Sequence, residues 1–292
     1  FKGPRSESGT AARVCGSSPS RSQLGVEDMK LRVGVLQFDV ALGDRMKNRA
    51  TLQRRLKSSL VPSDLTTVLV IPEIWDVGYA LPRAKELADP EGKGAAEFLG
   101  DLARQYGVWF AGGSVLASTP EGFANRGQVV NPRGDLVEYY DKVHLIRLME
   151  EDKYFVPGRK ECIFDVNGIR AGCVTCYDIR FCEWVRTYAL DGVQVLFVSA
   201  EWPMSRIDHW EALLRSRAIE NQMYVVACNR CGKSEETLFG GRSMILGPKG
   251  ELLFQAGAGE EAGFVILDMD EVEKTRGFLT VFDDRVPGIY KV

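Results

Sequence analysis

Short apolar segments alternate with amphipathic segments along this chain from residue 31 onward. The stretch TTVLVIPE, residues 66–73, is apolar almost throughout, which is typical of a strand buried on both faces. The amphipathic segments between such strands have the length and spacing of helices that cover one side of a sheet. This order of elements predicts an α/β protein with a largely buried sheet system.

The same pattern gives approximate bounds for the elements. Helices are expected at residues 47–60, 94–106, 183–190 and 208–222. Single strands are expected at residues 31–40, 66–73, 108–116, 193–202, 223–230 and 263–270. Further pairs of strands, each joined by a turn, are expected at residues 127–143, 162–176 and 243–254. The middle pair turns at Asn167-Gly168, the strongest short signal for a hairpin.

The composition is that of an ordinary globular protein. The 292 residues are 45% hydrophobic and 26% charged, which is enough to bury a sizeable core. The net charge of −3 gives no electrostatic reason to expect nucleic acid or an anionic membrane as a partner. No apolar run approaches the roughly 18–20 residues that a membrane-spanning helix needs.

The first 29 residues differ from the rest of the chain. They are rich in Ser, Gly and Arg and lack both periodicity and the apolar core of a secretory signal. We therefore expect residues 1–29 to be a flexible tail or a cloning remnant, with the natural start at Met29, and residues 30–292 to form one domain. Seven cysteines without a secretory signal suggest a reducing cytoplasm.

The segment RAGCVTCYDIRFCEWVR, residues 170–186, concentrates thiols. Cys173 and Cys176 form a C-x2-C pair, and Cys228 and Cys231 form a second one, which on paper is the ligand set of a zinc site. However, residues three apart in a strand point to opposite faces, and CVTC lacks the glycine of a tight knuckle. A redox pair needs the start of a helix rather than the end of a strand. We therefore expect no metal and no cofactor.

Cys176 closes an apolar run and is followed at once by polar residues. That placement puts its thiol at the carboxyl end of a buried strand, where α/β folds bind ligands. Glu73 and Lys142 occupy equivalent positions at the ends of other predicted strands. A desolvated carboxylate can accept a thiol proton, and a nearby ammonium stabilises a thiolate or an oxyanion. The alternative for both charged residues is an ordinary surface position, and His144 and His209 are expected to be structural.

On these residues the chain resembles the nitrilase, or carbon–nitrogen hydrolase, superfamily from Leu31 to about Asp283. The matching motifs, in family order, are PEIWDVGY around Glu73, YDKVHL around Lys142, CYDIRFCE around Cys176 and DHWEALLRSRAIENQMYVVACNR at residues 208–230. The resemblance implies a four-layer αββα sandwich that forms a homodimer or a higher homo-oligomer. It also implies that Glu73 is the general base, Lys142 stabilises the tetrahedral intermediate and Cys176 is the nucleophile.

The resemblance implies a second glutamate as well. In EEDKYFVPG the family position matches Glu151, although Glu150 beside it leaves a one-residue ambiguity. Within the superfamily, CYDIRF and the segment HW…SRAIENQ are most similar to Nit-type ω-amidases, which hydrolyse short dicarboxylic monoamides. That similarity implies that Arg180 and Trp202 line the substrate end of the pocket and that Tyr79 lies close to the nucleophile.

Each of these assignments has an alternative. Arg180 can hold a substrate carboxylate through its planar fork, or it can form a structural ion pair with Asp178 or Glu183. Trp202 can line the pocket or pack at its rim. The backbone N–H of Tyr177 is expected to bind the oxyanion beside Lys142.

The expected function is hydrolysis of a small carboxylated amide, such as 2-oxoglutaramate or succinamate, through a cysteine thioester. A rival reading within the superfamily is an N-carbamoyl amine or amino-acid amidohydrolase with the same catalytic residues. A nitrilase proper and a catalytically idle binding subunit are further alternatives. Cys182, where the family usually has Pro or Ala, places a second thiol near the site.

Overall fold

Two β-sheets packed face to face form the middle of the molecule in this computed structural model, which describes residues 29–290. Apart from Met29, the segment expected to be a tail, residues 1–29, lies outside the described residues. The strands are β1 (Lys30–Gln37), β2 (Thr67–Val70), β3 (Asp89–Pro90), β4 (Trp109–Thr119), β5 (Gly122–Val130), β6 (Leu136–Asp141), β7 (Cys162–Val166), β8 (Ile169–Thr175), β9 (Val195–Ala200), β10 (Tyr224–Asn229), β11 (Cys231–Ser234), β12 (Thr237–Gly240), β13 (Met244–Leu246), β14 (Leu252–Gln255) and β15 (Glu261–Asp268).

The first sheet has the order β15-β1-β2-β4-β5-β6, with the short β3 beside β4. The second has the order β14-β13-β10-β9-β8-β7, and β11 and β12 form a separate hairpin. In each sheet the central strands are parallel: β1, β2 and β4 in the first, and β8, β9 and β10 in the second. Antiparallel strands flank each parallel group, as in many mixed sheets: β15 and β5 in the first sheet, and β7 and β13 in the second.

Within residues 29–290, six α-helices accompany the sheets. They are α1 (Arg45–Ser59), α2 (Ala84–Leu87), α3 (Lys93–Tyr106), α4 (Cys182–Leu190), α5 (Ile207–Asn221) and α6 (Asp270–Phe278). Helix α3 illustrates how the helix ends are capped. At its start the Asp89 carboxylate accepts hydrogen bonds from the N–H groups of Gly94 and Ala95. At its end Gly107 has φ +64°, the left-handed conformation that glycine favours. Among residues 29–290, no helix combines the length and the apolar character needed to cross a bilayer.

Three apolar clusters define the layers. One lies between the sheets and draws on both, with members such as Val33, Val70, Phe197 and Val226. A second packs α1 and α3 onto the outer face of the first sheet, and a third packs α4 and α5 onto the outer face of the second. The result is the expected four-layer αββα sandwich.

The parallel strands of both sheets end at the same edge of the sandwich. The N–H of Glu73, just past β2, donates to the carbonyl of Ala200 at the end of β9 at 3.5 Å. Asp39, just past β1, forms a parallel bridge with Cys231, just past β10. Loops that follow strands in one sheet therefore meet loops that follow strands in the other.

The four expected helices, now α1, α3, α4 and α5, were predicted to within two residues at each end, but several strand assignments were wrong. Strands β2 and β6 end at Val70 and Asp141, so Glu73 and Lys142 lie in loops just past them. Strand β6 is a partly exposed edge strand rather than a buried one. The polar hairpin of β11 and β12, the short α2 and the helix α6 were not predicted.

Gly158 provides a test of this packing beside Lys142. A Cβ atom at Gly158 would lie 1.8 Å from the carbonyl oxygen of Asp141, which is backbone and cannot rotate away. We expect Gly158→Ala to lower the free energy of unfolding by about 1–3 kcal/mol, because overpacking forces the backbone to shift. Gly277→Ala is the matched control, since that helical position has open space around it and alanine favours helix. Urea unfolding of both variants checks the account, and equal stabilities would contradict it.

Candidate active site

Glu73 is held by a strained turn between β2 and the following loop. Ile74, directly after it, has φ +38°, a left-handed conformation that β-branched residues rarely adopt. Ser114 of β4 fixes this turn, because its hydroxyl accepts from the N–H of Ile74 at 2.9 Å and its carbonyl accepts from that of Trp75 at 3.0 Å. The side chain of Glu73 is fully buried as a result.

The carboxylate of Glu73 accepts several hydrogen bonds. Its Oε1 lies 2.8 Å from Nζ of Lys142, 2.8 Å from Nδ2 of Asn125 and 2.7 Å from the hydroxyl of Tyr79. Its Oε2 accepts from the backbone N–H of Glu201 at 2.9 Å. Both oxygens are thus fixed in direction, as a reacting base requires.

The ammonium of Lys142 lies between two carboxylates. Its Nζ is 2.8 Å from Oε1 of Glu73 and 2.8 Å from Oε1 of Glu151, and all three side chains are fully buried. The backbone N–H of Lys142 donates to the carbonyl of Asn125 on β5 at 2.9 Å, which fixes the loop past β6. Tyr79 completes the cluster, since its hydroxyl is also 2.7 Å from Oε1 of Glu151.

Of the two adjacent glutamates, Glu151 enters the cluster. Its second oxygen accepts from the backbone N–H of Ile146 at 2.7 Å, so the loop wraps around the carboxylate. Glu150 has φ +57° and pairs with Lys153 at the surface. The left-handed residue turns the chain so that consecutive glutamates face opposite ways.

The charges in the cluster stabilise one another. Burial alone would raise the pKa of Glu73, but the charge and hydrogen bond of Lys142 outweigh it and hold that pKa below its usual value. Burial alone would lower the pKa of Lys142, but Glu151 and Glu73 raise it well above its usual value. At neutral pH the site therefore holds an ionised carboxylate at Glu73 beside a permanent ammonium.

Cys176 starts a short 3-10 helix at Cys176–Arg180, directly past β8. Its φ is +47°, so the residue occupies a left-handed conformation at a sharp strand-to-helix turn. Burial and the nearby negative charge of Glu73 raise the pKa of its thiol well above the usual value, against the opposing effect of Lys142. A neutral thiol close to an ionised carboxylate can transfer its proton to it as the sulfur attacks.

Asp178 holds this turn against β6 and the loop that follows it. Its carboxylate accepts from the N–H of Thr175 at 2.9 Å, and the hydroxyl of Thr175 caps the helix in return. The same carboxylate accepts from the hydroxyl of Tyr140 at 2.8 Å and lies 2.7 Å from Nδ1 of His144. A fully buried aspartate thus ties the Cys176 turn to the segment that carries Lys142.

The segment after Cys176 borders a cleft of about 490 Å³. Tyr177, Arg147, Arg180 and Arg206 are among its lining residues. The guanidinium of Arg180 lies over the ring of Trp202, 4.7 Å from its centroid. The cleft is therefore rich in positive charge.

Several alternatives from the sequence can now be compared with the geometry. No ion pair found among residues 29–290 involves Arg180, whose guanidinium lies 3.3 Å from Nδ1 of His209, so the pairing with Asp178 or Glu183 is wrong. Trp202 is buried beneath Arg180.

The structure also places the cysteines in different environments. Cys173 packs between the sheets, whereas Cys176 packs on the helix side of the second sheet, so the pair does not face one point. Cys182 is exposed, next to Glu183.

Sequence reasoning missed three residues that touch this site: Asn125, Asp178 in its bridging position and Glu201. Asn125 lies inside β5 between Ala124 and the charged Arg126, so its sequence neighbours gave no clear signal. Glu201 follows an apolar strand just as Glu73 does, and the same reasoning about strand ends applies to it.

Comparisons with known proteins identify the family of this chain. Residues 32–277 match the family model described as carbon–nitrogen hydrolase. The chain is 37% identical over 262 residues to a 2-oxoglutaramate amidase of Bacillus subtilis, covering 90% of this chain and 100% of that protein. It is 39% identical over 199 residues to omega-amidase YafV of Yersinia enterocolitica, covering 67% of this chain and 74% of that protein.

The fold is shared with solved structures. Nit3 of Saccharomyces cerevisiae, described as a member of the nitrilase superfamily, superposes with a TM-score of 0.76 at 26% identity, over 86% of this chain and 94% of that one. The family match over residues 32–277, the relative at 37% identity and the shared sandwich lead to one conclusion. The chain belongs to the carbon–nitrogen hydrolase family, and it is a hydrolase of non-peptide C–N bonds.

Proposed function

We propose that this protein is an ω-amidase, which hydrolyses the terminal amide of a short dicarboxylic monoamide to an acid and ammonia. The observation that carries the proposal is the Cys176 thiol within electrostatic reach of the buried Glu73–Lys142 pair, together with an arginine-rich cleft lined by the residues that follow Cys176. The first feature supports attack on an amide carbonyl. The second supports a substrate with a distal carboxylate.

The first half of the proposed reaction forms a thioester. Glu73 takes the thiol proton of Cys176 while the sulfur attacks the amide carbonyl carbon. The oxyanion is stabilised by Lys142 and by the N–H of Tyr177, which lies in the first turn of its helix, where N–H groups lack intrahelical partners. The C–N bond then breaks, and the amine leaves as ammonia with the proton that Glu73 received.

The second half hydrolyses the thioester. Water enters where ammonia left, and Glu73 takes one of its protons while the oxygen attacks the thioester carbonyl. Glu151 assists by holding Lys142 in place and by fixing the hydroxyl of Tyr79. The C–S bond breaks, the sulfur regains its proton from Glu73, and the acid is released.

The substrate class follows from charge. Arg147, Arg180 and Arg206 line one cleft, and Trp202 supports the guanidinium of Arg180 from beneath. A planar guanidinium binds a carboxylate through two parallel hydrogen bonds. The Bacillus subtilis relative bears the name 2-oxoglutaramate amidase and the Yersinia enterocolitica relative the name omega-amidase, which supports an anionic amide such as 2-oxoglutaramate or succinamate.

We also propose a homodimer that works in the cytoplasm. Phe278, Leu279 and Val286 are exposed near the carboxyl end, and the segment they belong to lines a groove with α4 and α5. Apolar side chains exposed to this degree favour a face that is covered in the assembly. The six cysteines among residues 29–290 are all free thiols, which suits a reducing compartment.

Removal of the proposed nucleophile should separate catalysis from folding. Cys176→Ala should lower kcat by several orders of magnitude, since the nucleophile is lost, and should leave cooperative unfolding intact. Cys182→Ala is the matched control and should keep full activity, because that thiol is exposed and outside the cluster. Ammonia release from succinamate measures both. Substantial turnover by Cys176→Ala would overturn the proposal.

The two adjacent glutamates offer a second matched pair. Glu151→Gln should lower kcat by roughly a hundredfold or more, because Lys142 loses one of its two carboxylate partners. Glu150→Gln changes the same functional group one residue away, at the surface, and should leave kcat unchanged. Steady-state kinetics of both variants decide the matter, and equal effects would remove Glu151 from the mechanism.

Substrate charge tests the role of Arg180. Arg180→Ala should lower kcat/KM for succinamate about ten- to a hundredfold, since a hydrogen bond to a charged group is lost, and should spare the neutral amide butyramide. Arg133→Ala, at an exposed arginine outside the cleft, is the control and should change neither value.

Two outcomes count against this assignment. Equal losses on succinamate and butyramide would remove Arg180 from the binding site. Release of carbon dioxide together with ammonia from N-carbamoyl compounds, with no turnover of ω-amides, would favour the carbamoyl amidohydrolase instead.

A further inference from the structure

Glu201 is a second buried carboxylate beside Glu73 that the proposed reaction does not use. It follows β9, its side chain is fully buried, and its backbone N–H donates to Oε2 of Glu73 at 2.9 Å. We propose that Glu201 is a positioning residue that strengthens Glu73 as a base when the Glu201 carboxylate is ionised. This inference rests on the proposed function of Glu73.

The position of Glu201 is fixed from β10. Nη1 of Arg230 lies 2.9 Å from Oε2 of Glu201, and Nη2 of Arg230 lies 3.1 Å from Oδ1 of Asp39. Asn229, the preceding residue, accepts from the N–H of Trp202 at 2.6 Å and donates to its carbonyl at 3.1 Å. The backbone of residues 201–202 is therefore clamped on both sides, and the N–H that reaches Glu73 cannot drift.

The charges around this pair do not balance. Glu73, Glu151 and Glu201 are buried carboxylates, whereas Lys142 and Arg230 are the buried cations that contact them. One oxygen of Glu201, Oε1, has no hydrogen-bond partner among residues 29–290. A buried carboxylate with an unbonded oxygen readily takes up a proton, so Glu201 is the member of the set most easily neutralised.

Titration of Glu201 would reach Glu73 directly. Burial raises the pKa of Glu201 to about 7, with the negative charge of Glu73 contributing and the charge of Arg230 opposing. Coulomb interaction is mutual, so an ionised Glu201 makes a proton on Glu73 more favourable. When the thiol proton of Cys176 moves to Glu73, the negative charge moves from Glu73 to the sulfur. An ionised Glu201 repels the charge on Glu73 and therefore favours this transfer.

The direction of the pH dependence follows from the ionisation of Glu201. Below about pH 7 Glu201 is neutral, and above it the carboxylate is ionised and Glu73 is the stronger base. The catalytic rate should therefore rise through this range. A change of one unit in the basicity of Glu73 corresponds to roughly a threefold change in rate when the proton is half transferred in the transition state.

The test compares the wild-type protein with Glu201→Gln between about pH 6 and 9. Glutamine keeps the backbone N–H and the shape, and removes only the charge. In wild type we expect kcat/KM for succinamate to rise about threefold with an inflection near the pKa of Glu201. In Glu201→Gln the profile should stay flat at the lower level, whereas Glu201→Asp, which restores a carboxylate, should regain the inflection.

A second readout does not depend on amide turnover. The rate at which iodoacetamide alkylates Cys176, followed by peptide mapping, should show the same inflection in wild type and lose it in Glu201→Gln. If alkylation behaves in this way but no amide is hydrolysed, the ω-amidase proposal fails while the role of Glu201 stands. If Glu201→Gln does not fold, Arg230→Lys replaces it and should move the inflection to higher pH, because Glu201 loses part of its cationic partner.

Other ionisable groups surround the site, and the test distinguishes Glu201 from them. His144 contacts Asp178, His209 contacts Arg180, and Tyr79 and Lys142 face Glu73 from the cluster. An inflection that persists unchanged in Glu201→Gln would show that Glu201 does not cause it and would overturn the proposal. A loss of melting temperature in Glu201→Gln with an unchanged pH profile would reduce Glu201 to a structural role and overturn it equally.

Discussion

The buried ammonium of Lys142 is the interaction on which the site depends. It lies 2.8 Å from a carboxylate on either side, and without it two fully buried negative charges would face each other through Tyr79. Breaking a buried pair of this kind by removing one partner typically costs about 3–5 kcal/mol. Lys142 therefore stabilises the loops that carry Glu73 and Glu151 as well as any oxyanion that forms beside it, so its replacement would affect folding and catalysis together.

The sandwich is what makes such a cluster possible. Parallel strands in two facing sheets end at one edge, and the loops past β2, β6, β8 and β9 converge there. Two of these loops, past β2 and β8, contain a residue with a left-handed backbone conformation: Ile74 and Cys176. Strain of this kind persists only where surrounding structure over-determines it, and here Ser114 and Asp178 supply the hydrogen bonds that hold the two turns.

Much of this could be predicted from the sequence, because apolar periodicity locates the strands and helices and because parallel strands share an edge. That reasoning selected Glu73, Lys142 and Cys176, and it failed where the signal was weak. The hairpin at 231–240 is largely polar, and α6 contains few apolar residues, so neither has a clear period. The carboxyl ends of the strands were also predicted too far along the chain, because apolar residues continue past the end of β2.

Contacts between the two sheets could not be predicted from the sequence. The bond from Glu201 to Glu73 joins residues 128 positions apart in the chain, and only the packing of one sheet on the other brings them together. The same holds for Asp178, whose sequence neighbours suggested a partner in Arg180, whereas the fold supplies Tyr140 and His144 from β6 and the loop past it.

The central claim is that Cys176 carries the acyl group of the substrate. Mass spectrometry of the protein, quenched in acid during turnover of succinamate, tests it most directly. The account predicts a succinyl adduct on the peptide that contains Cys176, which hydroxylamine removes because a thioester is labile to it. Steady turnover with no adduct on that peptide, or with a hydroxylamine-labile adduct on another residue, would contradict the account.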